Sequence, residues 1–216
     1  MIKYILFDLD GTLTDPKVGI TRCVQYALKK FGIERECEEL LEFIGPPLKE
    51  HFIEYANLSE EDGERAVEYY RERYAPTGIF ENRLYDGVLP MLSALKEEGY
   101  VLAIATSKPK VFAQKICDEY GMTDYITYLS GSELDGTNTD KAAVIKNAMD
   151  YLGALPDNTI MVGDRIYDLD GAETMGIPCI AVTYGYAEKG ELEKGNAAAI
   201  VSSPMEITEV FKKGIL

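Results

Sequence analysis

Two carboxylates two positions apart, followed by a glycine, stand near the beginning of the chain in Asp8-Leu9-Asp10-Gly11-Thr12. In an extended segment that spacing turns Asp8 and Asp10 to one side while Leu9 points the other way, into a core. Gly11 lets the chain turn sharply just beyond them. A second acidic group, Gly163-Asp164-Arg165-Ile166-Tyr167-Asp168, directly follows the apolar run Ile160-Met161-Val162. If the runs ahead of the two groups are neighbouring strands, Asp8, Asp10, Asp164 and Asp168 converge. Free anions at such distances raise one another's pKa, so four cannot share a cleft unaided. A hard divalent cation resolves the repulsion, and oxygen ligands with open water positions suit magnesium. Asp170 is read as solvent-exposed, and the spacing does not match a calcium-binding EF-hand loop.

Two further segments offer groups for an anion. Thr106-Ser107-Lys108-Pro109 follows the apolar run Val101–Ala105, so the Thr106 hydroxyl and the Ser107 N–H are available to phosphate oxygens. Taken alone, the same residues read equally as a helix N-cap before proline. Lys141 stands at the start of a helix expected over 140–152, where by itself it is indistinguishable from a surface lysine.

These residues need a scaffold that carries them to one edge. Continuous apolar runs occur at Lys3–Leu9, Val101–Thr106, Thr159–Val162, Pro178–Thr183 and Ala198–Val201, with a weaker one at Tyr125–Leu129. Unbroken runs predict a parallel sheet covered on both faces. Between them apolar residues recur at helical spacing, as in Val88, Met91, Leu92 and Leu95, and in Ile145, Ala148, Met149 and Leu152; a closing helix is expected over 205–211. The alternation predicts an α/β fold, a Rossmann-like doubly wound parallel sheet. In such sheets ligands bind beyond the carboxyl ends of the strands.

Residues 15–82 break the alternation, with helix signals and no convincing strand. Asp15-Pro16 reads as an N-cap followed by proline at the first helical position. The helix it starts carries Ile20, Val24, Ala27, Leu28 and Phe31 and ends at Gly32. Gly45-Pro46-Pro47 interrupts the next, and Ser59 starts another that runs to about Tyr74. The expected organisation is a core of residues 1–14 and 83–216 with an inserted all-helical domain, 15–82.

Composition narrows the partners. The chain has 216 residues, 46% hydrophobic and 27% charged, which is ordinary for a globular protein. Its 22 Lys and Arg against 37 Asp and Glu give a net charge of −15, which disfavours polymeric nucleic acid and anionic membranes. Cys23, Cys37, Cys117 and Cys179 are widely spaced, contain no CxxC pair and are expected to be reduced and buried. No apolar run is long enough for a membrane span, and the amino terminus meets charged residues too soon for a secretory signal. The expected location is the cytoplasm, and Asn57-Leu58-Ser59 is therefore not expected to be a glycosylation site.

Taken in order, Asp8 to Thr12, Thr106, Lys141 and Gly163 to Asp168 resemble the four motifs of the haloacid dehalogenase-like hydrolases. The resemblance is to their cap-bearing phosphatases, which include phosphoglycolate phosphatases and some 5′-nucleotidases, and it covers essentially the whole chain. It implies a magnesium-dependent phosphatase acting on a small phosphate monoester. Asp8 would attack phosphorus and become an aspartyl phosphate, and Asp10 would protonate the leaving oxygen and then deprotonate water. Magnesium would be bound by Asp8, the Asp10 carbonyl and Asp164. Thr106, Ser107 and Lys141 would hold the phosphate oxygens, and Asp168 would support the metal or its waters from behind.

The resemblance also assigns the helical insertion as a cap that closes over the cleft. Arg22 and Lys49 are its candidate contacts to an anionic substrate, although each also reads as part of a solvated helix face. His51 is read as structural, and Tyr55, Tyr69, Tyr70 and Tyr74 as packing. Pro16 and Asp86 depart from the related pattern near the ends of the insertion, which bears on substrate preference. A phosphosugar mutase of the same superfamily and a non-catalytic phosphate-binding protein are the competing readings; Asp10 argues against a dehalogenase. The oligomeric state is left open.

Overall fold

The structure is a computed structural model and describes residues 1–213. It divides into two compact units: Met1–Asp15 with the chain from Leu84 onward, and Pro16–Arg83.

The first unit is α/β. Its strands are β1 (Tyr4–Phe7), β4 (Val101–Pro109), β5 (Ile126–Ser132), β6 (Thr159–Gly163), β7 (Cys179–Val182) and β8 (Ala199–Val201). They form a six-stranded sheet in the order β5-β4-β1-β6-β7-β8, every neighbouring pair parallel. Helices α4 (Val88–Glu97), α5 (Lys110–Glu119), α6 (Lys141–Leu152), α7 (Ile166–Thr174) and α8 (Pro204–Lys212) connect and flank them. The unbroken apolar runs are explained: β1, β6 and β7 are buried at every position. Leu6, Ala103, Met161 and Ala181 pack beneath Val144, Ile145, Ala148 and Met149 of α6 in one core cluster.

The direction in which successive strands are added to the sheet reverses at β1. The chain runs outward from β1 through β4 to β5, then crosses back to β6 on the other side of β1. That reversal makes a topological switch point, where carboxyl-end loops diverge and leave a crevice. Phe7 lies in register with Ile104 on one side and Val162 on the other, so the residues following these positions emerge together.

The second unit is helical, with α1 (Lys17–Lys29), α2 (Leu48–Ala56), α3 (Glu60–Tyr74) and short 3-10 turns at Cys37–Phe43 and Gly78–Phe80. Leu40, Phe43, Phe52, Ala66 and Tyr70 are buried in it. His51 stands edge-on to Phe43 at 4.4 Å between ring centroids, and Tyr70 stacks on Tyr74 at 5.2 Å. Ser59 caps α3 by accepting the Asp62 N–H at 3.1 Å. Asn57 closes α2 in the left-handed conformation, φ 50°, a role its short polar side chain suits.

Several local expectations change. Asp15 does not cap α1: Pro16 holds that position without a side-chain cap, and the Asp15 carboxylate instead accepts the Tyr186 hydroxyl. Two short strands, β2 (Thr14–Asp15) and β3 (Arg83–Leu84), pair as a separate two-stranded sheet. At two residues each they are too short to leave a periodic signal. β4 continues past Thr106 to Pro109, through a register shift against β5. All four cysteines are free, and Cys23, Cys117 and Cys179 are buried, but Cys37, at the start of a short 3-10 turn, is only half-buried; burial pushes the Cys117 thiol up to about 12. Among the described residues, no helix is long and apolar enough to cross a membrane.

Candidate active site

The carboxyl end of β1 carries the first acidic pair. Asp8 is one residue past the strand, and its N–H still donates to Val162 O at 2.9 Å. Gly11 then turns with φ +87°, and a Cβ at this position would lie 2.2 Å from Asp164 Oδ2. Only a residue without a side chain fits both the backbone conformation and that approach. Next to it, Thr12 donates its hydroxyl to Asp164 Oδ1 at 3.2 Å. The first motif and the fourth thus touch directly across 152 residues of sequence.

Asp164 follows β6 and is fully buried. Oxygens of Asp8, Asp164 and Asp168 all lie within 4.8 Å of one another. Burial raises the pKa of Asp164 well above the carboxylate range, and the Asp168 and Asp8 charges push the same way; the Tyr186 N–H and Arg165 oppose them. A cluster held under that strain favours a bound cation. Its all-oxygen donors fit a hard divalent ion, and the compact spacing of the carboxylates allows one ion to reach more than one of them.

Lys141 supplies positive charge from the first turn of α6. Its Nζ lies 2.8 Å from Asp8 Oδ1 and 2.9 Å from Asp168 Oδ1, and it donates to Ala105 O at 3.4 Å. Burial works against this charge, but Asp168 and Asp8 outweigh it and hold the ammonium well above its usual pKa. Asp140, the preceding residue, caps α6 through the Ala143 N–H at 3.0 Å, which fixes the turn that aims Lys141. The second oxygen of Asp168, Oδ2, accepts the Arg165 N–H at 3.0 Å. Both oxygens of Asp168 therefore hold protein groups.

Thr106 is buried beside Ala105, whose carbonyl meets Lys141, so the β4 end and the α6 start adjoin. The Thr106 hydroxyl oxygen accepts the Lys108 N–H at 3.3 Å, and the Ser107 carbonyl accepts the Ser132 hydroxyl at 2.7 Å. Asp8, Asp164, Asp168 and Lys141 come together in this way, with Thr106 next in the chain to the residue whose carbonyl Lys141 meets. Asp170 is exposed on α7 and stands outside the acidic trio. Arg22 and Lys49 belong to the helical unit, where Arg22 pairs with Glu81 at 2.7 Å and Lys49 with Glu60 and Glu64 at 3.0 Å each.

Sequence reasoning missed two groups. Lys108 Nζ lies 2.5 Å from Asp10 Oδ2, with only 7% of its side chain exposed. The apolar run predicts a strand that ends at Thr106, whereas β4 extends to Pro109 and so includes Lys108. The loop after β7 was also overlooked. Its Tyr186 N–H donates to Asp164 Oδ2 at 2.7 Å, and its Tyr184 hydroxyl to Thr12 O at 3.0 Å. No short motif marks these residues.

Known proteins align with this geometry. A family model described as haloacid dehalogenase-like hydrolase matches residues 5–182. A Pseudomonas aeruginosa protein named 5′-nucleotidase is 46% identical over 87% of this chain and 86% of its own length. A Mycobacterium bovis protein named tyrosine-protein kinase PtkA is 34% identical over 92% of this chain and 68% of its own length. A crystal structure described as "a predicted phosphatase from Clostridium acetobutylicum" superposes with a TM-score of 0.95 at 43% identity, covering 99% of both chains. The chain is an enzyme that belongs to the haloacid dehalogenase-like hydrolases, on the phosphatase side of that family.

Proposed function

We propose that the protein is a magnesium-dependent phosphatase that hydrolyses a small-molecule phosphate monoester through an aspartyl phosphate on Asp8. The observation that carries this reading is one buried ammonium, Lys141, between Asp8 and Asp168, with Asp164 within 4.8 Å of both carboxylates. A cation beside a candidate nucleophile at the carboxyl edge of a parallel sheet suits a phosphate dianion, which neither residue would attract alone.

Asp8, the Asp10 carbonyl and Asp164 would hold the magnesium ion. When bound, the ion offsets the phosphate charge, so that a carboxylate and a phosphate dianion can approach one another. Asp8 attacks phosphorus in line as the ester oxygen leaves. Asp10 delivers a proton to that oxygen, then takes one from the water that cleaves the acyl phosphate. Lys141, the Thr106 hydroxyl and the Ser107 N–H hold the equatorial oxygens while charge spreads over them. Asp168 orients Lys141 through its 2.9 Å contact.

The same proposal assigns residues 1–14 and 83–216 to the chemistry and 15–82 to a cap that shields the intermediate from bulk water and reads the leaving group. Phosphoglycolate and nucleoside monophosphates are the candidate substrates. A cytoplasmic site of action belongs to this reading too, supported by four free cysteines that suit a reducing compartment.

Phosphate release from phosphoglycolate, nucleoside 5′-monophosphates, sugar phosphates and p-nitrophenyl phosphate tests the proposal, with and without added magnesium. Turnover is expected only with the metal, and Asp8→Asn is expected to lower it by on the order of 10⁴ or more. Full activity in Asp8→Asn, or in metal-stripped protein, overturns the mechanism. Isomerised sugar phosphate in place of free phosphate would identify a mutase instead.

A further inference from the structure

Asp164 contacts the loop following β7. That loop approaches it closely: a Cβ at Gly185 would lie 2.3 Å from Asp164 Oδ2 and 2.5 Å from Gly11 O. The Tyr186 N–H then donates to the same Oδ2 at 2.7 Å. The Thr12 hydroxyl holds Oδ1 from one side, while Oδ2 is aimed by loop backbone, so its orientation depends on what fixes the loop.

The far end of the loop is tied down by Glu191. Its Oε1 accepts from Arg165 Nε at 2.8 Å and from the Ile166 N–H at 2.8 Å, and its Oε2 accepts the Glu188 N–H at 2.7 Å. Arg165 and Glu191 are both buried. Arg165 and Ile166 are the two residues that follow Asp164. A single carboxylate therefore ties the far end of the loop to the turn that carries Asp164, while the Tyr184 hydroxyl on Thr12 O and the Tyr186 hydroxyl on Asp15 secure its near end.

We propose that Glu191 is a positioning residue for the cation site, holding the 183–192 loop against the Asp164 turn so that the Tyr186 N–H fixes the Asp164 carboxylate in one orientation. The idea rests on the reading of Asp164 as a metal ligand. Groups that orient metal ligands from outside typically change metal affinity by about 10–100-fold when removed. Glu191 acts through Asp164 and touches neither substrate nor metal.

Direct titration of the whole protein with Mn²⁺, following free Mn²⁺ by electron paramagnetic resonance without substrate, tests this. Glu191→Ala is expected to weaken binding by about 10–100-fold. Glu191→Gln keeps an acceptor oxygen and is expected to lose less. In turnover assays the magnesium requirement should rise while kcat at saturating magnesium stays within a few-fold of wild type, roughly as expected when orientation alone is lost. A fall in Tm with unchanged Mn²⁺ affinity overturns the proposal and leaves Glu191 a structural residue. If Glu191→Ala does not fold, Glu191→Gln decides by the same titration, and unchanged affinity there also overturns it. Asp164→Asn separates the two levels of the argument: unchanged Mn²⁺ affinity in that variant removes the metal reading itself. Affinity lost in Asp164→Asn but retained in both Glu191 variants removes only the role of Glu191.

Discussion

Two lysines in this protein make nearly the same contacts in opposite surroundings. Lys141 bridges Asp8 and Asp168 at 2.8 and 2.9 Å, and Lys49 bridges Glu60 and Glu64 at 3.0 Å each. Distances alone would rank them equal. Lys141 shows 7% of its side chain to solvent and Asp168 only 1%, whereas Lys49 shows 33% and its partners 80% and 67%. Water screens the second arrangement and leaves its side chains free to separate. Around the first, removal of the lysine leaves two buried carboxylates without the cation between them. Burial, not contact length, turns an ion pair into a fixed electrostatic instrument.

The comparison breaks most visibly at Lys141. Lys141→Met should lower phosphate turnover by on the order of 10²–10³, comparable to losing one donor to a developing oxyanion. A variant that keeps most of its kcat would remove the distinction between the two lysines. Lys108 comes next, since its 2.5 Å contact fixes the Asp10 carboxylate. Lys108→Met is expected to lower kcat by roughly 10-fold to 10²-fold, the scale of a misplaced catalytic group, with KM less affected. Stopped-flow measurement of the leaving group separates that loss from slow phosphate release.

Charge removal in the helical unit should do far less to the chemistry. Arg22→Ala and Lys49→Ala are expected to keep kcat within about threefold, as befits exposed pairs. A contact between either residue and an anionic substrate would register in KM alone. The smallest effect is a pH dependence at Glu81. The Arg73 side chain lowers its pKa against the opposing effect of burial, and Arg22 adds to the lowering. A depressed folded-state pKa contributes stability that is complete above the ordinary glutamate range and is lost as pH falls through the lower value. Thermal unfolding followed down from neutral pH should therefore show a shallower acid limb in Glu81→Gln than in wild type.

The same contrast explains what the sequence disclosed. The strands were legible because β1, β6 and β7 are buried on both faces and so read as unbroken apolar runs. Asp8 and Asp164 stood out because each directly follows such a run. Lys108 was hidden by a strand end that propensity placed at Thr106, while pairing with β5 carries the strand to Pro109. Tyr186 and Glu191 were hidden for another reason. Their contacts, with Asp164 at 22 residues and with Arg165 at 26, depend on a loop path that no local periodicity encodes. Asp15-Pro16 has the local form of a helix start, yet the Tyr186 hydroxyl claims the Asp15 side chain from 171 residues away. A distant partner overrode a local preference.

The place of β1 between β4 and β6 has a consequence for how the protein is made. β6, the strand that brings Asp164 beside Asp8, is synthesised only after β1, β4 and β5. Contacts of such long sequence separation form late, after the entropy of closing the intervening chain has been overcome. A nascent or partly unfolded chain therefore holds Asp8 without Asp164 and Lys141 beside it. Hydrolytic competence arrives with the completed sheet, which makes catalysis itself a report that folding has finished.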